Sequence, residues 1–375
     1  MWRITMTSTL KNEFHPDYVS PPGETLSDTL ETIGMSQAEL ARRMGRPVKT
    51  INEIIQKKAA ITPETALQLE QVLNIPASFW LNREQQYREA LARLAEEQRL
   101  ESQVEWLKEF PIREMIRRGW IPSCNNKIEQ VSATLKFFSV ASQDSWRVIW
   151  ESKIVAYRKS TTLKSNFGAV AVWLRQGEIE AQEIECAPYN ADAFREALRN
   201  VRPLTVKPVS FFQGGLVRLC ASAGVAVVFV PELPKNGIFG ATQWLTPTKA
   251  LVQLSLHYKT DDHLWFTFFH EAGHILLHGK KQVFLEIDQK DRKEAEEEAN
   301  RFAANVLIDP IQWQQFVASD SYRSKAEIKE FAQKVGIAPG IVVGRLQHEK
   351  RLPFGHCNEL KRRLEWKIEE QSSDS

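Results

Sequence analysis

The sequence predicts an α+β protein: an all-α N-terminal domain, a mostly helical middle region and a C-terminal domain that mixes helices with strands. Three observations predict it. Short capped helical patterns crowd residues 24–101, apolar strand patterns gather after Pro203, and an H-E-x-x-H sequence begins at His270 inside an apolar helical pattern. A chain of 375 residues is too long for one ordinary domain. The expected divisions are an arm at 1–22, a helical domain at 23–95, a connector at 96–200, the mixed domain at 201–360 and a polar tail at 361–375.

Pro21-Pro22-Gly23 closes the arm, and Glu24–Ile33 reads as a first helix stopped by Gly34. Ser36 caps Gln37–Met44, with Glu39 at the capping-box position and Gly45 as the stop. Pro47 opens Val48–Lys58 as a first-turn residue. Thr62, followed by Pro63, caps a helix to Leu73, and Pro76 starts a longer one that grades into the charged stretch Arg88–Glu101. The middle region reads as helices to roughly Leu163, followed by a strand-like run, Ala169–Leu174.

Beyond Pro208, Phe211–Ala223 reads as a helix, Val225–Val230 as a buried strand and Ala250–Leu256 as a second strand with alternating apolar positions. Leu264–His278 and Glu294–Leu307 are helices, and Ala326–Val335 and Ile341–His348 are shorter ones. The last pair imitates a helix-turn-helix, but is expected to be a packing element of the mixed domain. The tail from Glu369 is polar.

Composition narrows the function. The net charge of +2 predicts no strong global attraction to nucleic acid, yet Ser36–Ala60 carries Arg42, Arg43, Arg46, Lys49, Lys57 and Lys58 against only Glu39 and Glu53. Cys124, Cys186, Cys220 and Cys357 are scattered and form no C-x-x-C pair, which argues against a disulfide framework. No apolar run approaches the roughly twenty residues needed to cross a bilayer. The N-terminal stretch turns polar too soon for a signal peptide. The expectation is a cytoplasmic protein with no membrane partner.

The chemistry concentrates at His270-Glu271-Ala272-Gly273-His274. Residues four apart share a helix face, so His270 and His274 can offer two ring nitrogens to one metal ion. Glu271 stands beside that metal, where it can act as a general base toward water. With eight histidines in the chain, H-E-x-x-H arises by chance at roughly the one-or-two-in-a-hundred level. Flanking Phe266, Phe269, Leu276 and Leu277 also argue against an exposed helix carrying two ordinary surface histidines.

Zn2+ needs a third protein ligand. In the acidic helix beginning at Glu294, residues Ala295, Ala299, Phe302, Ala303, Val306 and Leu307 define the buried face at 100° per residue. Glu296 lies at the edge of that face, Glu298 at the opposite edge as a reserve candidate, and Glu294 and Glu297 point away. The bland alternative is a solvated acidic first turn favoured by the helix dipole. His278, four residues past His274, is another possible ligand. It lies a further turn along the helix, beyond easy reach of a metal held by His270 and His274, and is expected instead to orient a ligand or substrate.

These stretches resemble the ImmA/IrrE family of metallopeptidases: Phe266–His278, Glu296–Pro310 and Gly237–Thr242, within roughly residues 205–350. The resemblance implies a zincin-like domain with zinc on His270, His274 and Glu296 and Glu271 as the catalytic base. It also implies a protein substrate, since members cleave repressors that carry helix-turn-helix domains. The family's usual Leu-Met-Pro is here Leu307-Ile308-Asp309-Pro310, a departure that touches local packing.

The helices of residues 24–73, with a tight turn at Gly45-Arg46, have the spacing of a helix-turn-helix whose third helix enters the major groove. Lys49, Thr50, Asn52, Glu53 and Gln56 form its polar side, and Ile51, Ile54 and Ile55 its buried side. Lys57, Lys58 and Gln37 are candidate phosphate contacts. The bland alternative is a helical bundle with a solvated basic face.

His15-Pro16, Pro22-Gly23-Glu24, Met35–Ala41, Ile61–Ala66 and Ser78–Tyr87 resemble the Cro/CI-type (XRE) helix-turn-helix of HigA antitoxins. That resemblance covers residues 14–95 and implies a homodimer on palindromic double-stranded DNA and a small toxin partner. Such antitoxins usually end near here, whereas this chain continues for about 280 residues. The combined reading is a transcription regulator whose zinc peptidase domain cuts a protein or peptide, a repressor or another copy of itself. One rival is a HigA-like antitoxin or repressor whose zinc is structural or ligand-sensing, and a second is an enzyme that uses its helix-turn-helix to dock a protein.

Overall fold

The computed structural model describes residues 20–151, 167–234, 238–278 and 289–366; the expected arm and polar tail lie largely outside these. The chain divides into two compact units, Met1–Ser102 and Gln103–Ser375. No helix among the described residues is long and apolar enough to cross a membrane.

The first unit is all helical: α1 Pro22–Thr32, α2 Gln37–Met44, α3 Val48–Ile55, α4 Pro63–Leu73 and α5 Ala77–Ser102. The Ser36 hydroxyl accepts the Glu39 N–H at 3.2 Å, while the Glu39 carboxylate turns to Arg42 and Arg43. Half of the capping box therefore forms, with an i,i+3/i,i+4 ion pair replacing the other half. Gly45 ends α2 in the left-handed conformation and sets the turn into α3. Leu26, Leu40, Ile51, Leu69 and Trp80 are wholly buried together. Each contributes on the order of 1.5–3 kcal/mol by leaving water. Thr62 caps α4 through the Thr65 N–H. The buried Glu84 of α5 accepts the Ile61 N–H at 3.1 Å, which pins the helix at its start. The charged stretch then continues as one helix to Ser102, with residues 91–98 exposed.

The second unit is built around a three-stranded sheet of order β1-β3-β2, where β1 is Val225–Phe229, β2 Gly240–Thr246 and β3 Lys249–Leu254. β1 pairs parallel with β3, and β2 pairs antiparallel with it. Short helices α6 Ile112–Arg117, α7 Lys127–Phe138 and α8 Gln143–Trp146 precede α9 Phe167–Gln182. The strand expected at Ala169–Leu174 is instead part of α9, which packs on β1 and β3. Residues 169–174 are all buried, so the run has no polar face to reveal a helical period.

The opposite face of the sheet carries Val225, Val227, Trp244, Ala250, Val252 and Leu254. It packs against α11 Val209–Ala221 and α12 Asp261–His278, with α10 Ala191–Val201 behind α11. α13 Gln289–Leu307 lies along α12, and Gly273 makes the approach close. A Cβ there would stand 3.1 Å from Phe302 and 3.3 Å from the Ala299 Cα.

α14 Pro310–Ala318 and α15 Lys325–Val335 lead into α16 Pro339–His348. α16 buries Ile341, Val342, Val343 and Leu346 in the common core and packs on α12. This second helix pair is thus a packing element. The packed structure continues past residue 360: the Leu364 N–H donates to the Lys259 carbonyl at 2.9 Å, and Arg362 and Lys361 hold the buried Asp261 and Asp262 at 2.9 and 2.7 Å. These contacts fix the first turn of α12 and hence the direction of its histidines.

Candidate functional site

Gly273 and Ala299 let α12 and α13 approach until side chains one turn from the contact converge. His270 and His274, on one face of α12, bring their Nε2 atoms to 3.0 Å. Glu296 of α13 reaches them with Oε2 at 3.3 Å from His270 Nε2 and Oε1 at 3.7 Å from His274 Nε2. These residues form a possible ligand set whose donor atoms lie within 4.8 Å of one another. Tetrahedral zinc with bonds of about 2.0–2.1 Å holds adjacent ligand atoms about 3.3 Å apart. The observed spacings straddle that value, and two imidazoles with one carboxylate are a donor set zinc accepts. The residues fit the ion.

Electrostatics agree. Burial opposes ionisation of Glu296, but hydrogen bonds and charge interactions with the two histidines outweigh it and hold its carboxyl at about 2. Desolvation pulls His270 down, yet Glu296, Glu271 and Asn300 raise it above the ordinary imidazole value. Asn300 Oδ1 stands 3.0 Å from His270 Nδ1. An amide oxygen can only accept, so Nδ1 donates to it, which would leave the Nε2 lone pair for a metal at the centre.

Glu298 does not join the group. It stands 3.3 Å from His278 Nε2, and His278 Nδ1 lies 2.9 Å from His274 Nδ1. Burial, with His274 beside it, holds His278 below the usual imidazole range.

Glu271 is buried at 9% exposure. Thr242 on β2 donates through its hydroxyl to Glu271 Oε2 at 2.7 Å. Thr242 pairs with Val252, whose face of the sheet packs on α12, so strand alternation aims its side chain at the helix. Gly240 shares that face, and a Cβ there would lie 2.8 Å from Glu271 Oε1. A cavity of about 360 Å³ opens beside these groups, walled by Phe239, Tyr258, His263, Thr267 and His348.

Neither Thr242 nor Asn300 is among the expected site residues. Asn300 had a signal, being four residues past Glu296 on the same helix face. Thr242 was marked only as the end of the Gly237–Thr242 stretch, which carried the resemblance but no assigned role, and residues 235–237 of the flanking chain lie outside the described residues.

In the first unit, Gln37 opens α2. Lys49, Thr50 and Asn52 stand on α3, Gln56 is its C-cap, and Lys57 and Lys58 follow. Ile51 and Ile54 face the core. Lys49, Gln56, Lys57 and Lys58 are exposed, while Gln37, Thr50 and Asn52 are half-buried. Lys57 is paired with Glu24 at 2.8 Å, and Lys49 lies 3.7 Å from Glu53.

Fold and sites define the class: a helix-turn-helix DNA-binding regulator domain joined to a peptidase-type domain. Residues 29–80 match the family model described as Helix-turn-helix, and residues 232–347 match the peptidase family model described as IrrE N-terminal-like domain. Over 61 residues the chain is 34% identical to the uncharacterized HTH-type transcriptional regulator YddM of Escherichia coli (strain K12), covering 16% of this chain and 65% of that protein. Over 66 residues it is 38% identical to virulence-associated protein A of Dichelobacter nodosus, covering 17% and 63%. The chain therefore spans just under two thirds of the length of these relatives.

Two solved structures are similar in part. One is the Pseudomonas aeruginosa antitoxin HigA with higBA promoter, at 30% identity, 23% of this chain, 94% of that chain and a TM-score of 0.22. The other is an addiction module antidote protein of a HigA family from Coxiella burnetii, at 26%, 24%, 91% and 0.20.

Proposed function

We propose that this protein is a DNA-binding regulator that cleaves a protein substrate with a zinc-dependent site. The observation that carries the reading is the convergence of His270, His274 and Glu296 beside a buried carboxylate, Glu271, that Thr242 holds in place. Zinc bound by those three residues would act as a Lewis acid toward the scissile carbonyl and the attacking water. Glu271 takes the proton of that water and returns it to the leaving amine. Thr242 fixes one carboxylate oxygen at 2.7 Å and leaves the other for proton transfer. β2 is an edge strand of the sheet, so an extended substrate can add to it beside the cavity.

The proposed substrate is a repressor or another copy of this chain. Operator recognition is assigned to α3, with Lys49, Thr50, Asn52 and Gln56 toward the bases and Gln37, Lys57 and Lys58 toward phosphates. A homodimer on a palindromic operator, a small toxin partner and a cytoplasmic location complete the proposal.

Purified protein should hold about one zinc per chain, and His270→Ala or His274→Ala should abolish it. Unchanged zinc content in both variants would sink the assignment.

A further inference from the structure

One histidine beside the proposed ligands stands apart from them. His278 lies one turn beyond His274 on α12, and its side chain is only 7% exposed. It stands outside the group formed by His270, His274 and Glu296, so it is not a ligand of the proposed ion. Its two nitrogens are nevertheless engaged: Nε2 lies 3.3 Å from Glu298 Oε2 and Nδ1 lies 2.9 Å from His274 Nδ1.

The proton positions follow from what each atom can do. An ionised carboxylate only accepts, so His278 Nε2 is the donor toward Glu298. A neutral imidazole carries one N–H, which leaves His278 Nδ1 as an acceptor. Of the two facing Nδ1 atoms, the donor must then be that of His274. With zinc on His274 Nε2, the atom 3.0 Å from His270 Nε2 and 3.7 Å from Glu296 Oε1, the one N–H of a neutral ring would indeed sit on Nδ1. The acidic helix thus acts twice. Glu296 meets the histidines directly, and Glu298, two residues on, meets His278, which in turn meets His274.

We infer that His278 and Glu298 form a positioning relay that fixes the tautomer and ring orientation of His274 and so presents its Nε2 to the metal. The inference rests on the proposed zinc site and deepens it. His270 has a shorter counterpart in Asn300, whose amide oxygen meets its Nδ1 at 3.0 Å. Each histidine therefore has its distal nitrogen engaged by a partner outside the ligand group, as ring orientation at a metal requires. The two arrangements differ in reach: the Asn300 contact is a single step within the α12–α13 pair, whereas the His274 contact passes through a second imidazole to a half-exposed carboxylate, with Glu298 50% exposed.

The test uses the full chain, with zinc affinity measured by competition against a chromophoric chelator. The visible absorption of the cobalt(II)-substituted protein reports ligand geometry independently of any cleavage. His278→Ala should weaken zinc binding roughly ten- to a hundredfold, the usual cost of losing such a partner. It should also alter the cobalt spectrum while zinc still binds one per chain. His278→Asn, whose side-chain oxygen can accept from His274 Nδ1, should recover most of that loss. Glu298→Ala, which removes a half-exposed carboxylate and so spares the core, should weaken binding several-fold in the same direction.

Affinity and spectrum unchanged in both His278→Ala and Glu298→Ala would overturn the relay and leave the zinc site standing. Loss of zinc in His278→Ala as complete as in His274→Ala would make His278 a ligand and overturn it too. His278→Asn no better than His278→Ala would assign His278 to packing alone. An unmodified chain that takes up no zinc would overturn the site and the relay together.

Discussion

Gly240→Ala perturbs the site without touching a proposed ligand. A Cβ on residue 240 would stand 2.6 Å from the Thr267 Cγ2 and 2.8 Å from the Glu271 Oε1. Ordinary contact lies near 3.4–4 Å, so something must move by close to an ångström. Thr267 is β-branched on a helix and stiff at χ1, so β2 must back away from it while the flexible Glu271 side chain swings aside. Its displacement breaks the 2.7 Å bond from Thr242. A hydrogen bond to a charged group is worth about 1.5–3 kcal/mol, and overpacking costs about 1–3 kcal/mol more.

Relaxation offsets part of this, and the net loss should be about 2–4 kcal/mol, a fall in Tm on the order of 5–10 °C. Calorimetry of the zinc-loaded protein reads the stability, chelator competition reads the metal, and a cellular cleavage reporter reads the base. Zinc affinity should stay within a few-fold, because His270, His274 and Glu296 are untouched, while cleavage falls at least tenfold. A Tm within about 1 °C of the unmodified chain, together with full cleavage, would refute the reasoning.

Glu296→Gln should weaken zinc binding far more than Glu298→Gln, since only Glu296 reaches both histidines; equal or reversed effects in chelator competition would remove Glu296 from the ligand set. Stripping the metal should lower the Tm of the peptidase-type unit, by about 4 kcal/mol of linked stability when zinc stands at 1,000 times its Kd; a scan unchanged by chelator would contradict this. On operator DNA, Lys58→Ala should weaken binding to all sequences and reduce the salt slope by about one, whereas Asn52→Ala should mainly relax sequence preference. Unchanged titrations for both would move recognition away from α3.

The sequence and the structure part company where burial is complete. Along α13 the small and apolar residues Ala299, Phe302 and Ala303 mark one face, and that spacing alone separates Glu296 from Glu298. Between Ala169 and Leu174 no such contrast exists, because α9 is enclosed between the sheet and the helices preceding it, and six buried residues read alike as strand or helix. β2 was not legible as a strand: Gly240–Thr246 mixes polar and apolar residues on both faces, since one face meets α12 through Gly240 and Thr242. The contacts of His278 with His274 and Glu298 arise only in the tertiary structure. The spacing of His278 to His274 was visible, but the direction of its second nitrogen depends on where α13 docks.

The central claim is that the site performs proteolysis instead of merely holding zinc, and Glu271→Gln tests it most directly. A structural zinc has no use for a carboxylate beside it, whereas a catalytic one needs a base next to its open position. The substitution keeps the size of the side chain and its hydrogen bond from Thr242 but removes the base. Cells carrying an operator reporter should be compared for reporter response and for the pattern of cleaved proteins, with zinc content measured on the purified variant. The account predicts zinc and operator binding nearly intact and cleavage lowered by roughly a hundredfold or more. A variant indistinguishable from the unmodified protein in both reporter response and cleavage pattern would contradict it.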